Sequence, residues 1–116
     1  MNQYICMIDL KPNAHPLAFA RAAEQWFNRL IAAGKIAGWS LQRRKLRLAG
    51  PGFGDFMLVV QVVDLSQLDL AFGHLAEGHH DVARDYEQMH GMVERVDVGL
   101  YRPYPDAVQV ERLALI

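Results

Sequence analysis

Three side chains that can bind and move protons recur at helical spacing in the second half of the chain. Tyr86 follows His79 by seven positions, and His90 follows it by eleven. At about 100° per residue both return to within about 20° of His79, so one helix over 79–91 would carry all three on one face. A histidine accepts protons readily near neutral pH, and a tyrosine hydroxyl can orient a carbonyl or hold an oxyanion. The spacing predicts a catalytic set of His79, Tyr86 and His90 in a mostly apolar pocket.

Other interpretations of these residues stay open. Each histidine can be a hydrogen-bonded structural residue, and Tyr86 can be a core residue whose hydroxyl reaches the rim. A metal site is not predicted, because His74 and His79 are five positions apart and His79 and His80 are adjacent. Neither spacing makes two ligands converge on a helix.

A second candidate group lies on a strand predicted over 37–48. If that strand is regular, Trp39 shares its face with Arg43, Lys45 and Arg47, so the face changes from aromatic to cationic. Such a face suits an anionic ligand with an aromatic body, which makes Trp39 and Arg43 candidate ligand-binding residues. The alternative is a solvated basic strand that discourages edge pairing.

The single cysteine, Cys6, lies in the middle of a predicted strand among Ile and Met. One cysteine excludes an internal disulfide, and no neighbouring residue type would activate its thiol. The pattern therefore predicts a buried, apolar role for Cys6.

Four strands and two helical regions must position these side chains. Apolar alternation predicts the strands, and apolar spacing of three and four predicts the helices, the first starting near Pro16 and stopping near Gly34. Ser66 is the predicted cap of the second helical region, which we expect to kink or break near Gly78. The segment 49–55 is predicted to be a turn rather than a phosphate cradle, because a strand follows it. The strands are predicted over 3–11, 37–48, 56–64 and 95–102.

The resulting order, β-α-β-β-α-β, predicts one α+β domain over 1–116 with a ferredoxin-like fold: a four-stranded antiparallel sheet with two helices on one face. Both faces of the first and third strands carry apolar side chains, and the helices can cover only one. We therefore expect a homodimer in which two sheets pack face to face, and we expect the apolar tail within 103–116 to lie on the partner subunit.

Composition excludes several classes of function. The chain has 116 residues, of which 52% are hydrophobic, with 12 Lys+Arg against 13 Asp+Glu. This balance gives no overall basic field for nucleic acid, and the aliphatic third strand lacks the stacking aromatics of RNA-recognition modules. No apolar run is long enough for a membrane span, and the start does not resemble a signal peptide. We expect a cytoplasmic protein that binds neither nucleic acid nor membranes.

Three segments, YICMIDLK, FMLVVQVVD and MVERVDVGLY, resemble the dimeric α/β-barrel superfamily, especially its stress-responsive A/B-barrel branch. The resemblance covers the whole element order and implies a ligand site between the sheet and the helices of one subunit. Members of that branch often have a histidine early in the first strand, where this chain has Tyr4. The resemblance thus makes Tyr4 a ligand-binding candidate.

The branch also carries a His-Pro-x-His motif on or before its second long helix. Aligned backward from MVERVDVGLY, the motif places its histidines on His79 and Val82; aligned forward from FMLVVQVVD, it places them on His74 and Glu77. In either register the second histidine, which the resemblance makes the cyclase base, is absent. The resemblance therefore does not extend to a straightforward polyketide cyclase.

Three functions remain as predictions. The first is a small-molecule enzyme that needs no cofactor, such as a monooxygenase, cyclase or isomerase acting on an aromatic or polyketide-like compound. The second is a haem-binding or haem-degrading protein with His79 or His90 as the axial ligand. The third is a stress-associated dimer that binds a ligand without catalysis.

Overall fold

The computed structural model describes residues 1–106, so the predicted position of the tail beyond them lies outside the described residues. Four strands and three helices follow the predicted order, with the second helical region divided in two. The strands are β1 (Asn2–Leu10), β2 (Gly38–Arg43), β3 (Phe56–Val62) and β4 (Val93–Tyr101). The helices are α1 (Pro16–Ala32), α2 (Leu65–Gly73) and α3 (His80–His90), with a 3₁₀ turn, His74–Glu77, between the last two.

The sheet is antiparallel throughout and has the strand order β2-β3-β1-β4. Cys6 of β1 is paired with Leu58 of β3 and with Val98 of β4, so these three side chains lie on the same face. This arrangement confirms the predicted ferredoxin-like fold. No helix within residues 1–106 is both long and apolar enough to span a membrane.

The core lies between the helices and one face of the sheet. Helix α1 buries one stripe that includes Phe19, Trp26 and Phe27, as its three-four spacing predicts. The facing side of β3 alternates strictly, with Phe56, Leu58, Val60 and Val62 all buried. This alternation places all four side chains on the face that the helices cover.

The second helical region breaks at Gly78, as predicted, because this glycine adopts φ 78°, a left-handed conformation that favours glycine. The chain passes through the 3₁₀ turn and starts again as α3, with His79 as the residue before the first helical turn. The predicted cap at Ser66 is wrong. Asp64 caps α2 instead, and its carboxylate accepts a hydrogen bond of 2.9 Å from Gln67 N.

The basic strand is shorter than predicted, because β2 ends at Arg43. Leu46 and Arg47 both have φ 56°, a left-handed conformation that no regular strand contains. A regular strand over 37–48 would have placed Lys45 and Arg47 on the face that carries Trp39. Because β2 ends at Arg43, they do not lie on this face. They belong to the loop between β2 and β3.

The outer face of the sheet has an apolar centre and a polar border. Ile5 and Met7 of β1 lie beside Val59 and Met57 of β3, and all four are half-buried although no helix covers them. Polar partners surround them, including Gln42 beside Met57 and Asp97 beside Met7. Two apolar faces on one sheet, predicted from the alternation, are thus present in the structure.

A buried carboxylate joins α1 to α3. The Asp85 side chain has no exposed surface, and its two oxygens accept hydrogen bonds from Arg29 Nε at 2.6 Å and from Gln25 Nε2 at 3.0 Å. Arg29 remains about one-third exposed, so only the acidic partner is fully removed from water. These contacts orient α3 relative to α1.

We expect Gly54→Ala to destabilise the fold by about 1–3 kcal/mol, because the added Cβ atom would clash with neighbouring backbone atoms. That atom would lie 2.6 Å from the backbone oxygen of Ile8, so β1 or the loop would have to shift. Urea unfolding followed by circular dichroism measures the change. Gly52→Ala in the same loop is the matched control, because its Cβ would meet nothing within 4 Å. Equal effects of the two substitutions would contradict this account.

Candidate functional site

An apolar cavity of about 250 Å³ lies between the sheet and the helices. Strands β1, β3 and β4 form one wall and all three helices form the other, so the cavity lies between the two layers of the fold. Its volume is close to the lower end of the ligand-pocket range, about 300 Å³, which suits a small compound. Among its lining residues, the side chains that carry a polar atom are Tyr4, Cys6, Trp26, Tyr86 and His90.

Tyr86 and His90 meet at this cavity, one turn apart on α3. Their rings are stacked, with centroids 5.1 Å apart and planes 12° from parallel. Tyr86 also contacts the edge of Trp26 at 5.5 Å, which holds its ring against the core. His90 is exposed at the last turn of α3 and still lines the cavity, so its ring contacts both water and the cavity. The structure thus brings together two of the three predicted catalytic residues.

Tyr4 adds a hydroxyl from the sheet side of the same cavity. Its ring contacts the edge of Phe72 of α2 at a centroid distance of 5.5 Å. Burial, and then the proximity of Cys6 and Tyr86, raise the pKa of the Tyr4 hydroxyl above its ordinary value. The group therefore remains protonated at neutral pH and can donate a hydrogen bond to a bound carbonyl.

Cys6 lines the cavity as an unreactive thiol. It is buried, and burial raises its pKa to about 11, because the thiolate is less favourable away from water. The predicted apolar role of this residue agrees with its environment.

We expect the folded protein at pH 8 to react with iodoacetamide at least a hundredfold more slowly than the protein unfolded in urea. Raising the thiol pKa from 9.0 to about 11 lowers the thiolate fraction by about two orders of magnitude, and burial slows access further. Mass spectrometry counts the single adduct over time. Similar rates in the folded and unfolded states would show that the thiol is open to solvent.

His79 lies outside the cavity, so the expected three-residue face does not form. This histidine precedes α3, its side chain is 67% exposed, and its Nε2 lies 3.9 Å from Glu77 Oε2. His74 approaches the same carboxylate, with its Nδ1 3.2 Å from Oε2 at an angle that does not make a hydrogen bond. His74 and His79 are the residues that the two alignments place at the first histidine of the family motif. Both thus lie beside Glu77.

Glu77 itself has a pKa below its ordinary value, first because Lys35 Nζ donates a hydrogen bond to it at 3.3 Å and then because of His74. The carboxylate is therefore negatively charged at neutral pH. It forms a polar cluster with Lys35, His74 and His79, separate from the apolar cavity.

The two ligand-binding candidates on β2 do not line the cavity. Trp39 stacks on Phe27 at 5.5 Å, and its indole donates a hydrogen bond of 2.9 Å to Asn28 Oδ1. Arg43 lies 6.0 Å above the ring of Phe56 and lines a separate groove. Within residues 1–106 no three His, Cys, Asp or Glu side chains are grouped closely enough to hold a metal ion.

The cavity opens along β4, a feature that was not predicted. Val96 and Val98 point to the helix side of the sheet, yet Val98 is 57% exposed because no helix lies over this edge. Phe72 of α2, also exposed, forms the opposite rim. Alternation in β4 identifies the faces of these valines, but which strand the helices leave uncovered depends on packing.

Fold and cavity together define a ferredoxin-like α+β protein with a ligand-sized apolar cavity between its sheet and helices. The chain belongs to the family of unknown function DUF6614, whose model matches residues 1–116. No curated protein matches the chain.

Solved structures agree with this fold at low sequence identity. The protein At3g17210 of Arabidopsis thaliana has a TM-score of 0.71 at 9% identity, with 93% of this chain and 100% of that chain covered. SnoaB of Streptomyces nogalater, a cofactor-independent oxygenase, has a TM-score of 0.66 at 8% identity over 91% and 95% of the two chains. A dimeric ferredoxin-like protein of unknown function from Thermobifida fusca has a TM-score of 0.59 at 15% identity over 86% and 88%. The resemblance to α/β-barrel proteins is thereby confirmed at the level of the fold.

Proposed function

We propose that this protein binds a small aromatic compound in the apolar cavity and removes a proton from it with His90. The observation that carries the proposal is the stacked pair of Tyr86 and His90 at the mouth of an otherwise apolar cavity. Apolar walls bind the aromatic body, and the few polar atoms fix its orientation. His79 has no part in this proposal, because its ring is exposed outside the cavity.

Proton removal is the first step of a cofactor-free oxygenation. His90 takes one proton from a CH₂ group made acidic by a carbonyl conjugated with it, while the Tyr4 hydroxyl donates a hydrogen bond to the enolate oxygen. The carbanion gives one electron to dioxygen, and the two radicals combine into a peroxide. The peroxide recovers the proton from His90 and loses water, which leaves a new carbonyl on the substrate. A fold neighbour described as a cofactor-independent oxygenase supports this choice among proton-transfer reactions.

Binding can be measured through Trp26, which lines the cavity, once Trp39, the other of the two tryptophans, is replaced. In Trp39→Phe we expect 1-naphthol to change the remaining fluorescence with saturation. Ala71→Phe, which fills the cavity from α2, should weaken binding at least tenfold. Ala76→Phe, at an exposed position outside the cavity, is the control. Unsaturable quenching, or equal effects of the two substitutions, would refute binding in the cavity.

Catalysis can be measured with anthrone, because its carbonyl makes its central CH₂ group acidic. Oxidation of anthrone to anthraquinone consumes one dioxygen and forms one water. We expect the protein to accelerate this conversion in aerobic buffer and not under nitrogen. Saturable 1-naphthol binding without acceleration would favour the non-catalytic ligand-binding alternative. A Soret shift on titration with haem, lost in His90→Ala, would favour the haem alternative.

We also propose that two copies form a homodimer through the outer faces of their sheets. The half-buried Ile5, Met7, Met57 and Val59 give this face an apolar centre, and a polar border is typical of interfaces. The description of the T. fusca fold neighbour as dimeric supports a dimer.

Light scattering on a sizing column tests the dimer, with an expected mass about twice 13.1 kDa. Met57→Lys/Val59→Lys should shift the mass to that of one chain, because burying four ammonium groups in a twofold interface is unfavourable. Leu17→Lys, at an exposed position on α1, should leave the dimer intact. A monomeric wild-type protein at micromolar concentration would refute the proposal.

A further inference from the structure

A second concave site lies at the end of the sheet near the start of α1. This groove has a volume of about 560 Å³ and runs between the segment before α1 and the loop after β2. Leu10 and Phe56 are among its apolar lining residues, and its polar lining consists of charged side chains: Lys11, Arg43, Arg44, Lys45, Arg47 and Asp55. Its chemistry is therefore the opposite of that of the apolar cavity.

The groove concentrates positive charge in a protein whose net charge is −1. Five of its cations face a single carboxylate, and that carboxylate is already engaged. Asp55 Oδ1 pairs with Arg44 at 3.1 Å, while Oδ2 accepts a hydrogen bond of 3.2 Å from Leu10 N. Among residues 1–106, Lys11, Arg43, Lys45 and Arg47 form no salt bridge. Four cations thus share one concave surface whose single lining carboxylate, Asp55, is already paired with Arg44.

We propose that this groove binds a ligand through a phosphate or diphosphate group. Unpaired like charges repel one another, and an anion with several acceptor oxygens removes this repulsion while accepting hydrogen bonds from the guanidinium groups. A diphosphate satisfies several cations at once, which a single carboxylate cannot do. The phosphate can belong to a soluble organic phosphate or to a lipid headgroup. Leu46, at the tip of the loop beside the cations, is 85% exposed, and an exposed apolar side chain next to cations favours a lipid surface.

Isothermal titration with inorganic pyrophosphate at low ionic strength tests the site. We expect one site per chain. Because salt screens the attraction between the cations and the anion, the affinity should fall by about fivefold or more between about 20 and 150 mM salt. Lys45→Gln/Arg47→Gln should weaken binding at least tenfold. Arg21→Gln/Arg84→Gln removes the same charge from exposed positions outside the groove and should change the affinity less than twofold.

Co-sedimentation with phosphatidylglycerol vesicles, with phosphatidylcholine vesicles as the control, distinguishes the two sources. Binding of pyrophosphate alone identifies a soluble phosphate as the ligand. Binding to phosphatidylglycerol that Leu46→Ser and the Lys45→Gln/Arg47→Gln variant both weaken identifies a lipid phosphate. Binding of neither probe, equal losses in the two charge variants, or binding only to single-stranded RNA would overturn the proposal. Retained 1-naphthol binding in Lys45→Gln/Arg47→Gln would show that the groove is independent of the cavity.

Discussion

Arg29→Met should lower the free energy of unfolding by about 2–4 kcal/mol, somewhat less than the loss of one partner from a fully buried ion pair, because Arg29 is one-third exposed. Asp85 has no exposed side-chain surface, so without Arg29 its charge would remain in the protein interior with only Gln25 as a short hydrogen-bond donor. Arg84 Nε lies 4.0 Å away and is itself 62% exposed, so it replaces little of the lost interaction. Chemical denaturation at pH 7 measures the change.

A double-mutant cycle separates this cause from a general loss of packing. Arg29→Met/Asp85→Leu removes both charges and keeps apolar volume between α1 and α3, so we expect it to be more stable than Arg29→Met alone. Asp85→Leu alone should cost less than Arg29→Met, because the remaining guanidinium is one-third exposed and reaches water. If the double variant were the least stable of the three, helix packing rather than the unpaired carboxylate would determine the loss.

His90→Gln should slow anthrone oxidation by about 10²–10⁴-fold, the contribution usual for a general base. Glutamine keeps a polar side chain at the cavity mouth but cannot take the proton. Because His90 is exposed on the last turn of α3, the substitution should leave the unfolding temperature nearly unchanged. Oxygen consumption and the absorbance of anthraquinone measure the rate.

Two companion variants make this result specific to the cavity. Tyr4→Phe should reduce the rate about tenfold or more, since it removes the proposed donor to the enolate but keeps the ring on Phe72. His80→Ala, on the exposed start of α3, should retain the wild-type rate. A normal rate in His90→Gln together with retained 1-naphthol binding would eliminate the base and keep the binding site.

The elements that sequence patterns predicted best are those whose signals are local. Alternation in β3 and three-four spacing in α1 identified which side chains enter the core, because each pattern only requires one face to be apolar. The end of β2 was placed five residues too late, because the basic run after Arg43 continues an alternation that the left-handed Leu46 and Arg47 interrupt. The cap of α2 was misplaced by two residues, since Asp64 and Ser66 are both suitable cap residues.

The candidate site was predictable only in part, because only the residues that lie within one helix give a local signal. The spacing of Tyr86 and His90 within one helix was enough to bring both to the cavity. His79 was assigned to the same face on the assumption of one continuous helix over 79–91. The helix instead starts at His80, and His79 is placed beside Glu77 by the turn at Gly78.

By itself the sequence determined the element order, the two apolar faces of the sheet and the pair on α3, because these follow from backbone periodicity over a few residues. Only the tertiary structure decided which surfaces meet. Asp85 pairs with Arg29, which lies 56 positions away in the sequence, and Asp55 accepts a hydrogen bond from Leu10 N, 45 positions away. The helices leave β4 uncovered, so the cavity opens there. Such contacts depend on how whole elements pack together, and no spacing within a single element specifies that packing.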